Sequence, residues 1–278
     1  MLTLKSKKIF FLALINICVA FAIIIISQKF LLIITLVLFD VLYLMMALLS
    51  EQLQQNQTMV IKKTDDLTSR IQSLLFFYNK VNPRKPLPRM CGSAIAPDMA
   101  NILSVLFEKE KPKIIVECGS GVSTLILSYL IEEEKQGFLY SLDHLKKYAD
   151  ITQDHLKDHN LEDFAEVLYS PLEKYRLKEK DFRWYDLKGL NEKITDSIDM
   201  LIIDGPPRGI NPKVRYPALP LLMDKLSRKC VVVLDDAARL DELNVLDDWL
   251  LEFKDFEMKW FDTEKGTAVL YRKDLTND

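Results

Sequence analysis

Two charge-poor stretches at the start of the chain constrain its folding more than any other feature. Residues 9–26 carry no charge, and residues 30–49 carry only Asp40. As helices rising 1.5 Å per residue they would span about 27 and 30 Å, close to the hydrocarbon thickness of a bilayer. Ser27, Gln28 and Lys29 lie between them. Residues 1–50 are therefore expected to form a transmembrane helical hairpin, the alternative being one span with an interfacial helix. A signal peptide fits poorly, because no small-x-small cleavage site follows the first stretch and a second apolar stretch begins at once. Lys5, Lys7 and Lys8 precede the first span, Lys62 and Lys63 follow the second, and the turn holds only Lys29. The positive-inside rule then gives a two-pass protein of the inner (cytoplasmic) membrane, with both termini and the remaining chain in the cytoplasm. Asp40 in mid-span costs roughly 2.5–3.5 kcal/mol on insertion scales. In an antiparallel hairpin Asn16 lies at its depth, and either the two hydrogen-bond, within the hairpin or across a homo-oligomer, or Asp40 is protonated and faces protein.

Beyond residue 50 the chemistry changes. Residues 1–50 carry a net charge of +3, and the following 228 residues carry −6. With 49% hydrophobic and 28% charged residues the whole is too apolar for a disordered chain. No basic excess exists to neutralise phosphates, so nucleic acid is not an expected partner. Cys18, Cys91, Cys118 and Cys230 show no close pairing, as in a reducing cytosol. His155 and His159, four apart, have zinc spacing but no evident third ligand, and read as a solvated helix face.

Residues 51–88 read as a connector. Leu53, Val60, Leu67, Leu74 and Val81 recur every seven residues, a coiled-coil spacing through which the chain would self-associate. Asn56, Lys63 and Arg70 at the companion positions weaken it. The later part reads better as an amphipathic helix with Leu67, Ile71, Leu74, Leu75 and Tyr78 on one face. Pro83, Pro86 and Pro88 then end any helix, and a globular domain is expected over residues 89–278.

In that domain short apolar runs alternate with helical patterns, the signature of an α/β sheet. The runs are 113–117, 138–143, 166–170, 200–204 and 231–235; β-branched and nearly continuous, they suit strands buried on both faces. Helices are expected over 97–109, 123–134, 145–159, 217–227 and 241–253. Residues 256–261 and 267–271, joined by 262–266, make a closing antiparallel hairpin. The result is a Rossmann-like, mostly parallel sheet of seven strands with one antiparallel strand.

The first strand runs into Glu117-Cys118-Gly119-Ser120-Gly121-Val122-Ser123-Thr124. Strand, glycine turn and helix let a ligand approach the backbone and face helix N–H groups. The dinucleotide fingerprint wants Gly or Ala where Thr124 stands, which counts against a dinucleotide-dependent oxidoreductase. The second strand ends at Asp143, where a carboxylate can accept ribose hydroxyls. Together with Leu-Ile-Ile-Asp-Gly-Pro-Pro at 201–207 and Val-Val-Leu-Asp-Asp at 232–236, these motifs resemble class I S-adenosylmethionine-dependent methyltransferases, and more narrowly the small-molecule type with Asp-Gly-Pro-Pro after strand four. The likeness covers about residues 89–272. It implies S-adenosyl-L-methionine as cofactor, with Gly119, Gly121, Glu117 and Ser123 at its methionine end, Asp143 at the ribose and Ser170 near the adenine.

Asp204, Asp235 and Asp236 end the fourth and fifth strands and border one crevice. Two readings stay open. They hold Mg²⁺ or another divalent cation, as in catechol-type methyltransferases, or Asp204 is a general base while the pair binds polar substrate or caps the next helix. Asp204 is the expected catalytic residue either way. Arg208, Arg215 and Arg239 are candidates to clamp an anionic acceptor, with pairing of Arg239 to Asp235 or Asp236 as the alternative. Trp184 and Tyr185 suit a stacking lid or a core role equally. The expectation is a membrane-anchored O-methyltransferase acting on a small-molecule or lipid-linked glycan acceptor; a non-catalytic membrane scaffold is the rival.

Overall fold

A computed structural model describes residues 4–24, 30–90, 92 and 94–273. The chain divides into two compact units, Met1–Leu67 and Thr68–Asp278. Ser27, Gln28 and Lys29, where the hairpin turn is expected, and Cys91 lie outside the described residues.

In the first unit, helix α1 (Leu4–Ile24) and the start of α2 (Phe30–Lys80) leave large apolar side chains uncovered, Phe10, Phe21 and Phe39 among them. Two spans are expected from the sequence. Among the described residues one helix, Ile33–Lys80, is long and apolar enough to cross a membrane, and none of its apolar window is buried. Asn16 and Asp40 line one groove of about 240 Å³ with Leu12, Ala13 and Val37.

No Gly or Pro interrupts residues 30–80, so α2 continues straight through the expected connector and stops before Pro83. Its last turns differ from the face expected. Leu67, Ile71, Leu75 and Tyr78 are exposed, whereas Phe77 and Val81 are buried and Leu74 is half-buried. The covered stripe is thus rotated to Leu74, Phe77 and Val81, and the latter two join the core of the second unit.

That unit is a three-layer α/β fold. Its strands β1 (Ile114–Cys118), β2 (Phe138–Asp143), β3 (Ala165–Tyr169), β6 (Ile198–Ile203), β7 (Leu226–Leu234), β8 (Phe256–Phe261) and β9 (Thr267–Arg272) form one sheet in the order β3-β2-β1-β6-β7-β9-β8. β9 alone runs against the direction of the other strands of the sheet. Helices α3 (Pro97–Glu110), α4 (Val122–Glu134) and α5 (Lys146–Asp158) cover one face through Leu103, Leu125, Ile126 and Leu156. Helices α6 (Lys188–Lys193), α7 (Ala218–Leu222) and α8 (Leu240–Glu252) cover the other through Leu190, Leu219 and Trp249. Strand order reverses at β1, which pairs with both β2 and β6. Register aligns the strand ends: Cys118 lies beside Leu142 and Ile203, and Ile203 beside Leu234. The next residue on each strand therefore arrives at one level, and these are Gly119, Asp143, Asp204 and Asp235.

Two elements depart from expectation. The helix expected over 217–227 is only α7 and a 3-10 turn, Met223–Lys225; β7 starts at Leu226, paired with Ile198. Between β3 and β6 the chain forms a separate hairpin, β4 (Leu172–Leu177) with β5 (Lys180–Tyr185). Trp184 and Tyr185 at its end are core residues, fully buried.

Candidate active site

At the switch point lies a cavity of about 380 Å³. The glycine turn forms one wall. Gly119 has φ +107°, and a Cβ there would come within 3.2 Å of Gly205 N, so glycine is needed for both shape and approach. Gly121 N donates to Thr124 Oγ1 at 3.0 Å, and that hydroxyl donates to Glu117 Oε2 at 2.6 Å. Thr124 thus caps α4 where a dinucleotide turn has its third glycine. Ser141 donates to the same Glu117 oxygen at 2.6 Å. Glu117 is completely buried, does not line the cavity, and burial raises its carboxyl above the usual carboxylate range. Through these bonds it supports the turn from below. Gly119, Gly121 and Ser123 do line the cavity.

Asp143, beside the turn, is held at both oxygens: Oδ2 accepts from Ser120 Oγ at 2.8 Å, and Oδ1 from Leu145 N at 2.9 Å. Each oxygen keeps a lone pair for a ribose hydroxyl. Beside it stand His144, which burial holds below the usual imidazole value, and Leu145 and Tyr148. Ser170 is buried outside the lining, its N–H bonded to Asp143 O at 2.7 Å. It backs Asp143.

The far wall is acidic. Asp204, Asp235 and Asp236 each bring a carboxylate oxygen within 4.8 Å of the others. Asp204 and Asp236 line the cavity and Asp235 does not. Burial, then the Asp235 carboxylate, push Asp204 well above the ordinary range, against the opposing pull of Arg215. Asp235 is raised as well, by burial and by Asp236.

Arg215 is placed differently from the expected substrate clamp. It is 2% exposed, and its Nη1 donates to Asp235 O at 2.7 Å. Its Nη2 donates to Asp236 Oδ2 at 2.8 Å, to Asp204 Oδ1 at 3.3 Å and to Asp204 O. Both Nη atoms are thus bonded to protein, although Nη1 keeps a second N–H and Arg215 borders the cavity. Arg239 pairs with Asp236 Oδ2 at 2.7 Å, the alternative to substrate binding, though it borders the cavity. Arg208 lies on the cavity rim and is exposed.

Sequence reasoning passed over Ser120 and Glu242. Ser120 stands between the two turn glycines and could have been read as a partner for Asp143. Glu242 is buried in the first turn of α8, within 3.7 Å of Arg215 Nε. Its position after a β-strand carboxylate pair is a helix-capping signal, and nothing in the sequence shows that it faces Arg215.

Residues 116–237 match a family model described as a methyltransferase domain. No curated protein matches the chain. Among solved structures, the SAH-bound methyltransferase PaMTH1 of Podospora anserina aligns over 77% of this chain and 96% of its own, at 14% identity and TM-score 0.53. The O-methyltransferase of Bacillus cereus in complex with SAH aligns over 74% and 91%, at 16% identity and TM-score 0.51. At such identities the likeness is one of fold. The matched segment runs from β1 through the Asp235–Asp236 pair and so contains the glycine turn, Asp143 and Asp204. Over residues 116–237 the chain is thus similar to a methyltransferase domain, on an α/β fold that it shares with these two structures.

Proposed function

We propose that this chain is an S-adenosylmethionine-dependent O-methyltransferase anchored at the cytoplasmic face of the membrane by its apolar N-terminal hairpin. The observation that carries the reading is the meeting, in one cavity, of the glycine turn, a doubly held Asp143 and a cavity-lining Asp204 of raised proton affinity. When bound, S-adenosylmethionine supplies a methyl group already activated by its sulfonium, so the protein's task is positioning and proton removal. Asp143 holds the ribose, and Gly119, Gly121 and Ser123 accommodate the methionine end. With the cofactor bound, an acceptor hydroxyl directed at the methyl carbon would give up its proton to Asp204 as the carbon–oxygen bond formed and the sulfur–carbon bond broke. A methyl ether and S-adenosylhomocysteine result. The raised affinity of Asp204 makes it a stronger base than an ordinary carboxylate.

An anchor is useful to an enzyme whose acceptor is itself held at the bilayer. A lipid-linked glycan hydroxyl fits that requirement, and exposed Arg208 at the rim suits an anionic group on it. The test is transfer of labelled methyl to membrane extracts by the intact protein and by Asp204→Ala. Label in a lipid-extractable glycan, lost in the variant, supports the reading. Binding of S-adenosylmethionine without transfer to any extract favours a scaffold.

A further inference from the structure

Four carboxylates crowd the acidic wall: Asp204, Asp235, Asp236 and Glu242. A hard divalent cation there would need their oxygens free and the space between them open, with contacts of about 2.1 Å for magnesium. That space holds a guanidinium. Arg215 Nη2 lies 2.8 Å from Asp236 Oδ2 and 3.3 Å from Asp204 Oδ1, the two acids that face the cavity. Asp236 Oδ2 takes a second cation from Arg239. A metal bridging the same oxygens would face two fixed positive charges at close range. Nor is Arg215 free to swing away. Its donors also satisfy the carbonyls of Asp204 and Asp235, the first residues beyond β6 and β7, and departure would strand both. Asp235 Oδ2 and Asp236 Oδ1 are left without partners, but both atoms are buried. The three-carboxylate set therefore does not fit a divalent cation while Arg215 is in place.

We propose that Arg215 takes the position of the divalent cation in this crevice and does its positioning work, so that the reaction runs without a bound metal. The guanidinium pins Asp204 by both its backbone oxygen and its carboxylate, and so aims that carboxylate at the acceptor. Arg215 is a positioning residue, and its planar fork serves several oxygens at once, which a lysine ammonium on a flexible stem cannot reproduce. The catalytic half of the proposal rests on the methyl-transfer reading; the statement about the metal does not.

The experiment uses the full-length protein in detergent, with Mn²⁺ alone as probe. Electron paramagnetic resonance of free Mn²⁺ is expected to be undiminished by wild type, and excess EDTA to leave both Tm and methyl transfer unchanged. Arg215→Met is expected to deplete the Mn²⁺ signal, because the vacated oxygens become ligands. Should that variant fail to fold, the wild-type titration decides alone: stoichiometric Mn²⁺ binding abolished by Asp204→Asn overturns the proposal. For the positioning role, Arg215→Lys is expected to lower kcat about 10²-fold with KM for S-adenosylmethionine unchanged; an unchanged kcat overturns it. Calorimetry of S-adenosylhomocysteine binding to wild type reports separately on the cofactor reading, so its failure is not confused with failure of the metal claim.

Discussion

On its proposed role as base, Asp204 should couple catalysis and stability to pH in opposite senses. Burial and Asp235 raise its carboxyl above the value it would have in an unfolded chain. Activity needs the deprotonated form, so kcat should fall as pH drops through the raised value. Stability runs the other way, because between the two values the folded state holds more protons and rising pH destabilises it. Asp235 and Glu242, raised by burial too, add to the same trend. Tm should therefore decline as pH climbs from the ordinary carboxylate range towards neutrality, over the window in which activity rises. Asp204→Asn should lower kcat by about 10²–10⁴-fold and weaken the pH dependence of Tm; a Tm slope equal to wild type would assign the effect to the other acids. Gly205 is a second sensitive residue. A Cβ there would lie 2.2 Å from Tyr185 Oη, 3.2 Å from Cys118 O and 3.3 Å from Gly119 Cα. Tyr185 is fully buried against Trp184, and the other two neighbours are backbone, so little can yield. Gly205→Ala should cost about 1–3 kcal/mol of overpacking and weaken cofactor binding, as calorimetry with S-adenosylhomocysteine would show; wild-type affinity would mean that the turn and Tyr185 move independently of the cavity.

Among the elements, the proline-rich segment after α2 is fastened chiefly by Arg84, with Lys85 Nζ adding an exposed bond to Asp158 at 3.2 Å. Arg84 bonds Glu132 at 2.8 and 3.0 Å and the carbonyl of His159 at 2.9 and 2.6 Å, while its own N–H reaches Tyr129 Oη at 2.9 Å. Tyr129 Oη in turn meets His159 Nδ1 at 2.7 Å, which ties α4 to the end of α5. The Glu132 pair is partly solvated and contributes little, but the carbonyl bonds are part-buried. Arg84→Ala should cost about 1–3 kcal/mol, or roughly 2–10 °C in Tm for a domain of this size, with cofactor affinity retained. Nothing in the sequence marked Arg84, since its partners lie 45–76 residues away. The central strands were legible because burial on both faces demands unbroken apolar runs such as 200–204. The β4–β5 hairpin was not, since its exposed Glu173, Lys174 and Arg176 give it no apolar signature. The same holds in the site. Gly119 and Asp143 were readable from a local turn and a strand end, whereas Arg215 reads as one more basic loop residue. Only the folding of its loop over the ends of β6 and β7 turns it inward.

At the scale of the whole molecule, charge and hydropathy change at about residue 50, whereas the structural units divide between Leu67 and Thr68, inside α2. The compact unit Thr68–Asp278 contains the entire sheet, both core clusters and every residue lining the cavity. Its core includes Phe77 and Val81, so a cut at residue 89 would expose Met99, Leu103 and Phe107, which pack in the same cluster. A chain of residues 68–278 should therefore fold and bind S-adenosylhomocysteine like the full-length protein, while one starting at residue 89 should melt lower or aggregate. Burial of Phe77 and Val81 corresponds to about 3–5 kcal/mol, a large fraction of ordinary domain stability. Membrane fractionation gives the complementary arm. The 68–278 chain should be soluble and should retain methyl transfer to a detergent-solubilised acceptor, yet lose most transfer to acceptor held in intact vesicles. Equal rates on vesicles with and without residues 1–67 would show that the apolar segment does not serve to bring the crevice to a membrane-borne substrate.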